Sequence, residues 1–572
     1  MINFKKSDVY NIEIKKLKKI TTVFSVIRFF IVIFLIVFIV CALSLDNFIL
    51  YLGISLIFLL SFVICVIISN PFYLKLKQIN QILFIYKKHE NRRNLNYRGF
   101  MPDGKEFLQY TDYKVLDLDL LGPRSLFQYL CSAKTKDGKE KLAKQLTTPT
   151  PKSDKFKNCV KSLAQNEDSL KLEAAISLIS NDSKDCDSAT ILGLINKKIT
   201  IPMLGIILMI CSYLAVISLS IIMLINGIVP YSLFGFLVIN FIIAKKFANN
   251  EVFNLNTTKY ADLLSSYYEL AKVMIDTNIN DDFYKDIKSK LEEELPSIKR
   301  YLNIFELLSY RKNFILSFIG NGLIYLDYLI VLIFNLQKNN LKSIEKSLDY
   351  LSEIELMLSL ANIGIDNETY CLPQNDDFIK IKNGYHPLVK NCVKNDFYLN
   401  GGIVLTGSNM SGKTTFMRTL GINQILANAG GLVCAEEFYT SNYDVVTSLR
   451  ANDMLQEGIS TFYAEINRMK FIIKRAKETR VLVLVDEIFK GTNAKDRIYS
   501  AKEIIKKLNA MGAIFIITTH DFEICEAENI LNYHFDEEYI DNKIYFDYKI
   551  KNGKCNKTNA IYLLRMSGVL ED

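Results

Sequence analysis

A glycine-rich segment with a phosphate-binding pattern is the first candidate for chemistry in this sequence. Within GIVLTGSNMSGKTT, residues 402–415, Gly407 is followed five residues later by Gly412, Lys413 and Thr414. That spacing is G-x-x-x-x-G-K-[ST], in which backbone N–H groups turn inward around phosphate and a helix begins at the lysine. The lysine of such a loop contacts the β and γ phosphates, and the hydroxyl group binds Mg²⁺. The alternative is a Gly-rich turn that matches the pattern by chance.

Two further segments end in polar residues that suit the same chemistry. Val481–Val485 is a continuous run of Val and Leu, as expected of a strand buried on both faces of a parallel sheet, and Asp486 and Glu487 follow it. Residues 513–518 form a second such run, and His520 comes shortly after it. Acidic residues at the end of a strand hold Mg²⁺ and polarise the attacking water in P-loop enzymes. The three segments together predict an α/β P-loop nucleotide-binding domain.

Composition indicates a reducing compartment and argues against some metal sites. The 572 residues are 50% hydrophobic, which leaves room for several domains. The eleven cysteines include no C-x-x-C pair, and four histidines are too few for a His-rich metal centre. A net charge of +8 is mild for this length, so it permits contact with nucleic acid or anionic lipid without indicating either.

Two pairs of almost uncharged apolar runs predict two membrane hairpins. The first pair is Phe29–Leu45 and Phe48–Ile68, and the second pair is Met203–Ile225 and Tyr231–Ala244. About 20 apolar residues cross a bilayer, and the last run reaches that length when it is counted from Ile228. The alternative interpretation is that these runs are core helices of a soluble protein.

Lysine residues flank the outer ends of both pairs, and the linkers inside the pairs contain none. By the positive-inside rule, both termini and the segment between the hairpins are cytoplasmic. Phe314–Phe334 also has spanning length, but a further span would place the phosphate loop outside the cell, away from ATP. Because this run contains Asn321 and Asp327, we interpret it as a buried helix of the cytoplasmic body.

The remaining N-terminal sequence predicts helices up to a turn-rich border at Asp366–Asp377. Leu126–Leu146 has helical spacing with a break at Gly138, and both Glu251–Arg311 and Lys338–Asn362 are rich in Leu, Glu and Lys. The predicted domains are residues 1–70, a basic tail and the first hairpin; 71–199, a cytoplasmic helical segment; 200–246, the second hairpin; 247–365, a helical core; and 366–572, the nucleotide-binding domain.

Four segments of the last domain carry distinctive motifs. They are TGSNMSGKTTFMR at Thr406–Arg418, GISTFYAE at Gly458–Glu465, DEIFKGT at Asp486–Thr492 and TTHDFE at Thr518–Glu523. These motifs resemble the MutS family, the ATPases of DNA mismatch repair and their relatives. Weaker similarity covers Asp117–Pro149, residues 353–361 and His386-Pro387. The resemblance implies an ABC-like ATPase domain preceded by an α-helical core, which the two membrane hairpins interrupt in this chain.

The resemblance also implies ATP and Mg²⁺ as cofactors and a homodimer formed through the ATPase domains. Glu487 would be the catalytic base or would position the attacking water, and His520 would sense the γ-phosphate. Thr414 and Asp486 would hold Mg²⁺. Ser460 would complete the partner subunit's site, although its spacing also suits a simple helix cap. The residues implied to bind nucleotide are Gly407, Ser408, Asn409, Met410, Ser411, Gly412, Lys413, Thr414, Thr415, Ser460 and His534.

Several features depart from the family pattern. His534 matches a position near the adenine, although a lone His beside a Phe is commonly just packed, and Cys392 and Val393 stand where an aromatic adenine platform is expected. The Phe-x-Glu at Phe535–Glu537 lies far downstream of the family's mismatch-sensing wedge, so we do not expect mismatch reading. Phe489–Lys490 replaces the usual Gly-Arg. A C-terminal helix-turn-helix extension is not expected here, and the membrane helices would supply that dimer contact instead.

Taken together, the residues predict a MutS-like ATPase anchored in the cell membrane by several spans, with its N-terminus and ATPase domain in the cytoplasm. The resemblance further implies that helical arms clamp double-stranded DNA. An alternative is an ABC-type ATPase whose spans drive transport or act on a membrane-associated protein, but the scarcity of polar residues in the hairpins favours anchoring. A scaffold with a dead nucleotide site is disfavoured because the motif residues are all present. A lysine cluster at residues 134–144 is ordinarily a solvated helix face.

Overall fold

A computed structural model shows a helical N-terminal region followed by a C-terminal domain that combines helices with two β-sheets. The described residues are 7–44, 47–108, 113–179, 192–193, 202–226, 232–247, 257–310, 313–336, 341–408, 410–450, 461–489, 491–540 and 543–555. The α-helices are α1 Ser7–Ser44, α2 Phe48–Arg93, α3 Tyr113–Asp117, α4 Leu126–Leu130, α5 Lys136–Thr147, α6 Asp154–Gln165, α7 Asp168–Ser177, α8 Met203–Ile225, α9 Ser232–Phe247, α10 Thr257–Asp276, α11 Asp282–Tyr310, α12 Phe314–Ile324, α13 Leu326–Leu336, α14 Leu341–Asp366, α15 Lys413–Asn428, α16 Thr461–Glu478 and α17 Ala494–Ala510. The strands are β1 Gln374–Asn375, β2 Ile379–Gly384, β3 Asn395–Leu399, β4 Gly402–Thr406, β5 Glu437–Thr440, β6 Asp444–Ser448, β7 Val481–Val485, β8 Ile514–Thr518, β9 Ile530–Ile540 and β10 Lys543–Asn552.

The larger sheet confirms the strands predicted from continuous apolar runs. Its order is β10-β9-β4-β8-β7-β6, and all neighbouring strands are parallel except β9 and β10. Alternate residues of a strand face opposite sides. Leu482 and Leu484 accordingly pack in the core that contains α15, whereas Val483 and Val485 pack in the core that contains α16 and α17. The parallel register brings the carboxyl ends of β4, β7 and β8 to one edge of the sheet.

The first predicted hairpin is a pair of long antiparallel helices, α1 and α2. Phe34 stacks on Phe58 across the pair. At the end of the apolar run, Arg28 donates a hydrogen bond to the hydroxyl group of Tyr73 and lies over its ring. α2 continues through Pro71 and has 46 residues, so the predicted boundary between residues 70 and 71 lies within a helix.

Three described helices are long and apolar enough to cross a membrane, judged by length and composition. They cover residues 8–42, 53–93 and 203–222. α9, from the second predicted hairpin, has 16 residues, and residues 227–231, which would extend it, lie outside the described residues. The pair α12 and α13 would bring the number to four if it counted as one span.

The prediction of one buried helix at Phe314–Phe334 is wrong. Tyr325, with φ of 48°, ends α12 in the left-handed conformation, and α13 continues at an angle of 81°. The break is stabilised because the side-chain oxygen of Asn321 accepts a hydrogen bond from the backbone N–H of Asp327. One side of the pair is exposed, with Phe314 at 70%. The other side packs on α9 and α11 and is hydrogen-bonded to α8.

The predicted helix break at Gly138 is also wrong, because Gly138 lies in the first turn of α5. Its N–H donates to Thr135 Oγ1, which caps the helix. A Cβ atom at this position would lie 2.0 Å from a carboxylate oxygen of Glu355 on α14. The close approach of α5 and α14 therefore requires glycine at this position. The helix break lies instead between α4 and α5.

A buried cluster of charges joins α2, α7 and α14. The ring nitrogens of His89 lie 2.8 Å from a carboxylate oxygen of Glu173 and 2.8 Å from one of Asp366. Lys88 Nζ lies 2.8 Å from Glu173, and the guanidinium group of Arg92 lies 3.5 Å and 3.7 Å from the two carboxylates. Burial alone would raise the pKa of Glu173, but its three basic neighbours hold that pKa well below the usual range. The end of α2 is thereby fixed to the helix that leads into the C-terminal domain.

Glu173→Gln removes a carboxylate that compensates three buried basic side chains. We expect the variant to lose about 3–5 kcal/mol of unfolding free energy, because uncompensated charge then remains in the core. Denaturant unfolding of the full chain in detergent micelles measures this change. Glu292→Gln, at an exposed position on α11, is the matched control and should change stability by less than about 0.5 kcal/mol. Equal effects of the two substitutions would contradict the role of the cluster.

The same cluster predicts a pH dependence. The native pKa of Glu173 lies below its unfolded value of about 4.3. Its stabilisation is therefore complete above that pH and is lost as the pH falls through the native pKa. Unfolding curves of the wild type should lose more stability in acid than those of Glu173→Gln.

Candidate functional site

The loop after β4 has the backbone conformation of a phosphate-binding loop. Gly407 and Gly412 have φ values of 142° and 106°, which residues other than glycine rarely adopt. A Cβ atom on Gly407 would lie 2.7 Å from the carbonyl oxygen of Phe535. α15 begins at Lys413, directly after the loop, so the unpaired N–H groups of its first turn lie at the loop. The predicted order of strand, loop and helix is confirmed.

Polar groups of the loop are arranged for an anion. Lys413 is 5% exposed, and its Nζ donates hydrogen bonds to the carbonyl oxygens of Gly407, at 2.7 Å, and Ser408, at 2.8 Å. The ammonium group therefore lies inside the loop. Ser411 Oγ is buried and has no hydrogen-bond partner among the described residues, so a donor is left for a bound phosphate.

The acidic pair after β7 is held by threonines from two other elements. Asp486 Oδ2 accepts a hydrogen bond of 2.6 Å from Thr414 Oγ1, and Asp486 Oδ1 accepts one of 2.7 Å from Thr518 Oγ1. A carboxylate and a hydroxyl group, both oxygen ligands suited to Mg²⁺, therefore lie side by side. Glu487 has φ of 52°, and its N–H donates to Thr518 Oγ1 at 2.8 Å. Left-handed backbone in a non-glycine residue costs roughly 1–2 kcal/mol and is concentrated at functional sites.

His520 and Glu487 form the outer part of the site. His520 Nε2 lies 3.3 Å from Glu487 Oε1, and the two side chains are 45% and 25% exposed. Arg497 fixes the turn that carries the histidine, because its guanidinium group binds the carboxylate of Asp521 at 2.6 Å and 3.0 Å. These bonds raise the pKa of Arg497. Side chains that are far apart in sequence are thus brought to one edge of the sheet.

Lys413, Thr414, Asp486 and Glu487 border a cavity of about 490 Å³, whereas His520 is not among the described residues that line it. Cys392 and Val393 line it, and burial raises the pKa of the Cys392 thiol. Lys390 of the same segment also lines the cavity. Tyr548 also lines the cavity and lies close to the loop, since a Cβ atom on Gly412 would be 3.1 Å from its ring. An aromatic side chain therefore stands at the cavity, although it comes from β10 and not from the segment before β4.

Three supporting residues were not predicted from the sequence. Thr518 could have been found, because it ends a predicted strand at the same edge as the acidic pair. Arg497 and Tyr548 had no local signal, since one acts through an ion pair across the fold and the other reaches the cavity from a bulged hairpin.

The other predicted site residues have different outcomes. Ser408, Met410 and Thr415 line the cavity. Asn409 and Ser460 lie outside the described residues, so their roles stay predictions. His534 pairs with Thr406 in the sheet, its Nδ1 lies 3.0 Å from the carbonyl oxygen of Gly553, and it is not among the described residues that line the cavity.

The Phe-x-Glu tripeptide lies in β9 beside the phosphate loop. Glu537 is 1% exposed and accepts a hydrogen bond of 2.6 Å from Ser408 Oγ. Phe535 packs edge-on against Phe416 of α15, with ring centroids 5.8 Å apart. The tripeptide therefore supports the loop from within the domain.

Thr518→Val removes the hydroxyl group that holds Asp486 and the backbone of Glu487, with little change in volume. We expect the Mg²⁺ concentration for half-maximal nucleotide binding to rise about 10- to 100-fold, because partners that orient metal-binding carboxylates have effects of this size. A Mg²⁺ titration of nucleotide binding measures it. Thr518→Ser keeps the hydroxyl group and should restore the wild-type response. An unchanged Mg²⁺ requirement in Thr518→Val would contradict the positioning role.

Comparisons with known proteins identify the domain that contains this site. The family model for MutS domain V matches residues 403–572. The DNA mismatch repair protein MutS of Caldicellulosiruptor bescii is 31% identical over 252 residues, which are 41% of this chain and 29% of that protein. MutS of Acetivibrio thermocellus is 33% identical over 249 residues, 40% of this chain and 28% of that protein. MutS protein homolog 4 of Homo sapiens is 27% identical over 230 residues, 37% of this chain and 24% of that protein.

The chain therefore spans less than a third of the length of these curated relatives. The matched domain holds the phosphate loop, the acidic strand end and the following histidine, and its fold is α/β of the P-loop ATPase type. Residues 403–572 therefore form a domain V of the MutS family.

Proposed function

We propose that this chain is a membrane-anchored, MutS-like ATPase that binds and hydrolyses Mg-ATP as a homodimer. The observation that carries the proposal is the convergence of the phosphate loop and the acidic strand end on one cavity, with Thr414 bonded to Asp486. Family membership supports ATP as the nucleotide. The buried, unpartnered hydroxyl group of Ser411 supports the fit of a phosphate to the loop.

Each residue of the site has a chemical role in this proposal. The N–H groups at the start of α15 bind phosphate oxygens, and Lys413 exchanges its bonds to loop carbonyls for bonds to phosphate. Thr414 and Asp486 hold Mg²⁺, which when bound offsets the negative charge of the phosphates. Glu487 orients the attacking water and accepts its proton, and His520 contacts the γ-phosphate.

In the homodimer, each subunit contributes a residue to the nucleotide site of its partner. Ser460 of the partner subunit would contact the γ-phosphate, a role that the family resemblance implies. The partial exposure of Glu487 and His520 supports a site that a second subunit covers. ATP then tightens the dimer and hydrolysis releases it, because only the triphosphate state makes the added contact.

Anchoring rests on α1, α2 and α8. Large apolar side chains along these helices are exposed, for example Phe29 at 64%, Ile57 at 62% and Leu214 at 62%. Acyl chains are the natural cover for apolar surface of this extent. The flanking lysines support a cytoplasmic position of the ATPase domain, at the inner face of the cell membrane.

ABC-type transport, or work on a membrane-associated protein, is the second candidate function. A buried polar cluster between α8, α9 and α12 favours it, since Tyr325 OH lies 2.6 Å from Ser212 Oγ and 2.8 Å from Asn240 Oδ1. These groups satisfy one another, which supports anchoring over a substrate path. ATP-dependent flux in proteoliposomes distinguishes the two functions.

Double-stranded DNA is the partner that the relatives' names suggest. The proposal includes a DNA clamp without mismatch reading. Within the described lysine cluster, Lys141 pairs with Asp349 at 2.6 Å and with Glu353 at 3.5 Å, which lowers the positive charge available to phosphates. The Phe-x-Glu tripeptide packs beside the phosphate loop, where Glu537 accepts a hydrogen bond from Ser408, so it does not face DNA in this position.

Glu487→Gln tests the catalytic part of the proposal. ATP turnover should fall by at least about 100-fold, because the amide cannot accept a proton from water. Mg-ATP binding should persist, and ATP-dependent dimers should accumulate in sedimentation of the detergent-solubilised chain. Glu528→Gln changes an exposed carboxylate of the same domain and should keep wild-type turnover. Unchanged turnover in Glu487→Gln would remove Glu487 from the mechanism, and a monomer with bound Mg-ATP would contradict the dimer.

A further inference from the structure

The bent pair of α12 and α13 has an apolar, exposed outer surface. Each helix has 11 residues, and the two axes meet at 81°. The sequence from Phe314 to Leu336 contains one charged residue, Asp327, whose side chain is fully buried. Large apolar side chains on the outer surface are 42–68% exposed; they are Ile315, Ile319, Leu323, Leu329, Leu332 and Leu336. This surface has the composition of a lipid contact.

The backbone at the bend is satisfied by the protein itself. Tyr325 interrupts the helical hydrogen bonds. The hydroxyl group of Tyr213 on α8 donates to the carbonyl oxygen of Leu323 at 2.7 Å, and Asn240 Nδ2 on α9 donates to that of Gly322 at 2.9 Å. Non-helical backbone is tolerated at membrane depth only where protein groups satisfy it, because acyl chains cannot. The bend therefore meets the requirement for a position within the hydrocarbon layer.

The inner surface of the pair packs closely on α8 and α9. A Cβ atom on Gly322 would lie 3.0 Å from the side chain of Leu237, and one on Gly205 would lie 2.6 Å from Tyr328 OH. Small residues at such contacts let helix backbones approach, which is how helices associate within membranes. The pair is thus continuous with the second apolar hairpin.

Length and charge fix how the pair meets a bilayer. An 11-residue helix rises about 16 Å, roughly half of the ~30 Å hydrocarbon core, so neither arm crosses it. In the sequence, Arg311 and Lys312 precede the pair and Lys338 follows it. Basic residues at both ends favour the cytoplasmic side for both. A return to the same side also keeps the phosphate loop in the cytoplasm.

We propose that α12 and α13 form a re-entrant pair, which enters the cytoplasmic leaflet beside α8 and α9, turns at Tyr325 and returns to the same face. Acyl chains cover its outer surface. This inference rests on the proposed membrane anchoring and extends it to the segment that leads through α14 into the ATPase domain. The exposed side of the pair is the lipid-facing side.

Nitroxide scanning of the full chain in liposomes tests this arrangement. Single cysteines replace the six exposed outer residues, one at a time, in a background without the native cysteines. Electron paramagnetic resonance then compares the accessibility of each label to oxygen and to a water-soluble nickel complex. We expect depth to increase from Ile315 to Leu323 and to decrease from Leu329 to Leu336. A steady increase along the whole series, as for a spanning helix, or nickel access at every site would overturn the proposal.

Control labels separate this inference from the anchoring on which it rests. Cysteines at Ile57 and Leu214, on α2 and α8, should report acyl chains. If these control labels report acyl chains and the labels on α12 and α13 do not, only the re-entrant pair is contradicted. If they also report water, the anchoring fails together with the pair.

Sidedness gives a second readout. Cysteines at Lys312 and Lys338 should react with a membrane-impermeant maleimide from the same side as a cysteine at Tyr499, which is 70% exposed in the ATPase domain. Labelling of the two ends from opposite sides would show a span and overturn the proposal.

Discussion

The buried ion cluster between α2, α7 and α14 is the contact on which the N-terminal architecture depends. His89 lies between Glu173 and Asp366, and Arg92 lies beside both carboxylates. Removing one member would leave charge in a core from which water is excluded, at a cost of several kcal/mol. α2 carries apolar surface at one end and this cluster at the other. α14 ends at Asp366, directly before the first strand of the C-terminal domain, so the cluster ties the proposed anchor to the ATPase domain.

A second buried carboxylate ties the helical region to the ATPase domain. Asp117, at the end of α3, accepts hydrogen bonds from Thr447 Oγ1 at 2.8 Å and from the backbone N–H of Leu449 at 3.0 Å. Nearby, Asp119 pairs with Arg418 on α15, the helix that begins at the phosphate loop. A displacement of α15 must therefore move or break contacts with the helical region. In the proposed function, these contacts would couple α15 to the helical region.

The sequence patterns predicted the parts of the site that depend on local structure. The prediction of a strand at Val481–Val485 was correct because a continuous apolar run favours a buried strand. The prediction of the phosphate loop was correct because its glycine spacing favours one backbone arrangement. The helix break predicted at Gly138 was wrong because the contact that requires glycine there is with the carboxylate of Glu355. That residue is more than 200 residues away in sequence. The bend at Tyr325 was not predicted because apolar composition does not reveal which side chains form hydrogen bonds with the free backbone groups at a helix break. Tyr548 reaches the cavity only through a strand pairing that no local pattern encodes.

We propose that a protein held in a bilayer carries a working MutS-type nucleotide site. Equilibrium binding of Mg-ATP to the purified full chain in lipid nanodiscs tests it most directly. We predict Mg²⁺-dependent binding of one ATP per chain, at least about tenfold weaker in Lys413→Ala, because that variant loses charged hydrogen bonds to phosphate. Lys477→Ala, an exposed lysine on α16, should bind as the wild type does. A wild-type chain that fails to retain Mg-ATP, or a Lys413→Ala variant that retains it equally well, would contradict the account.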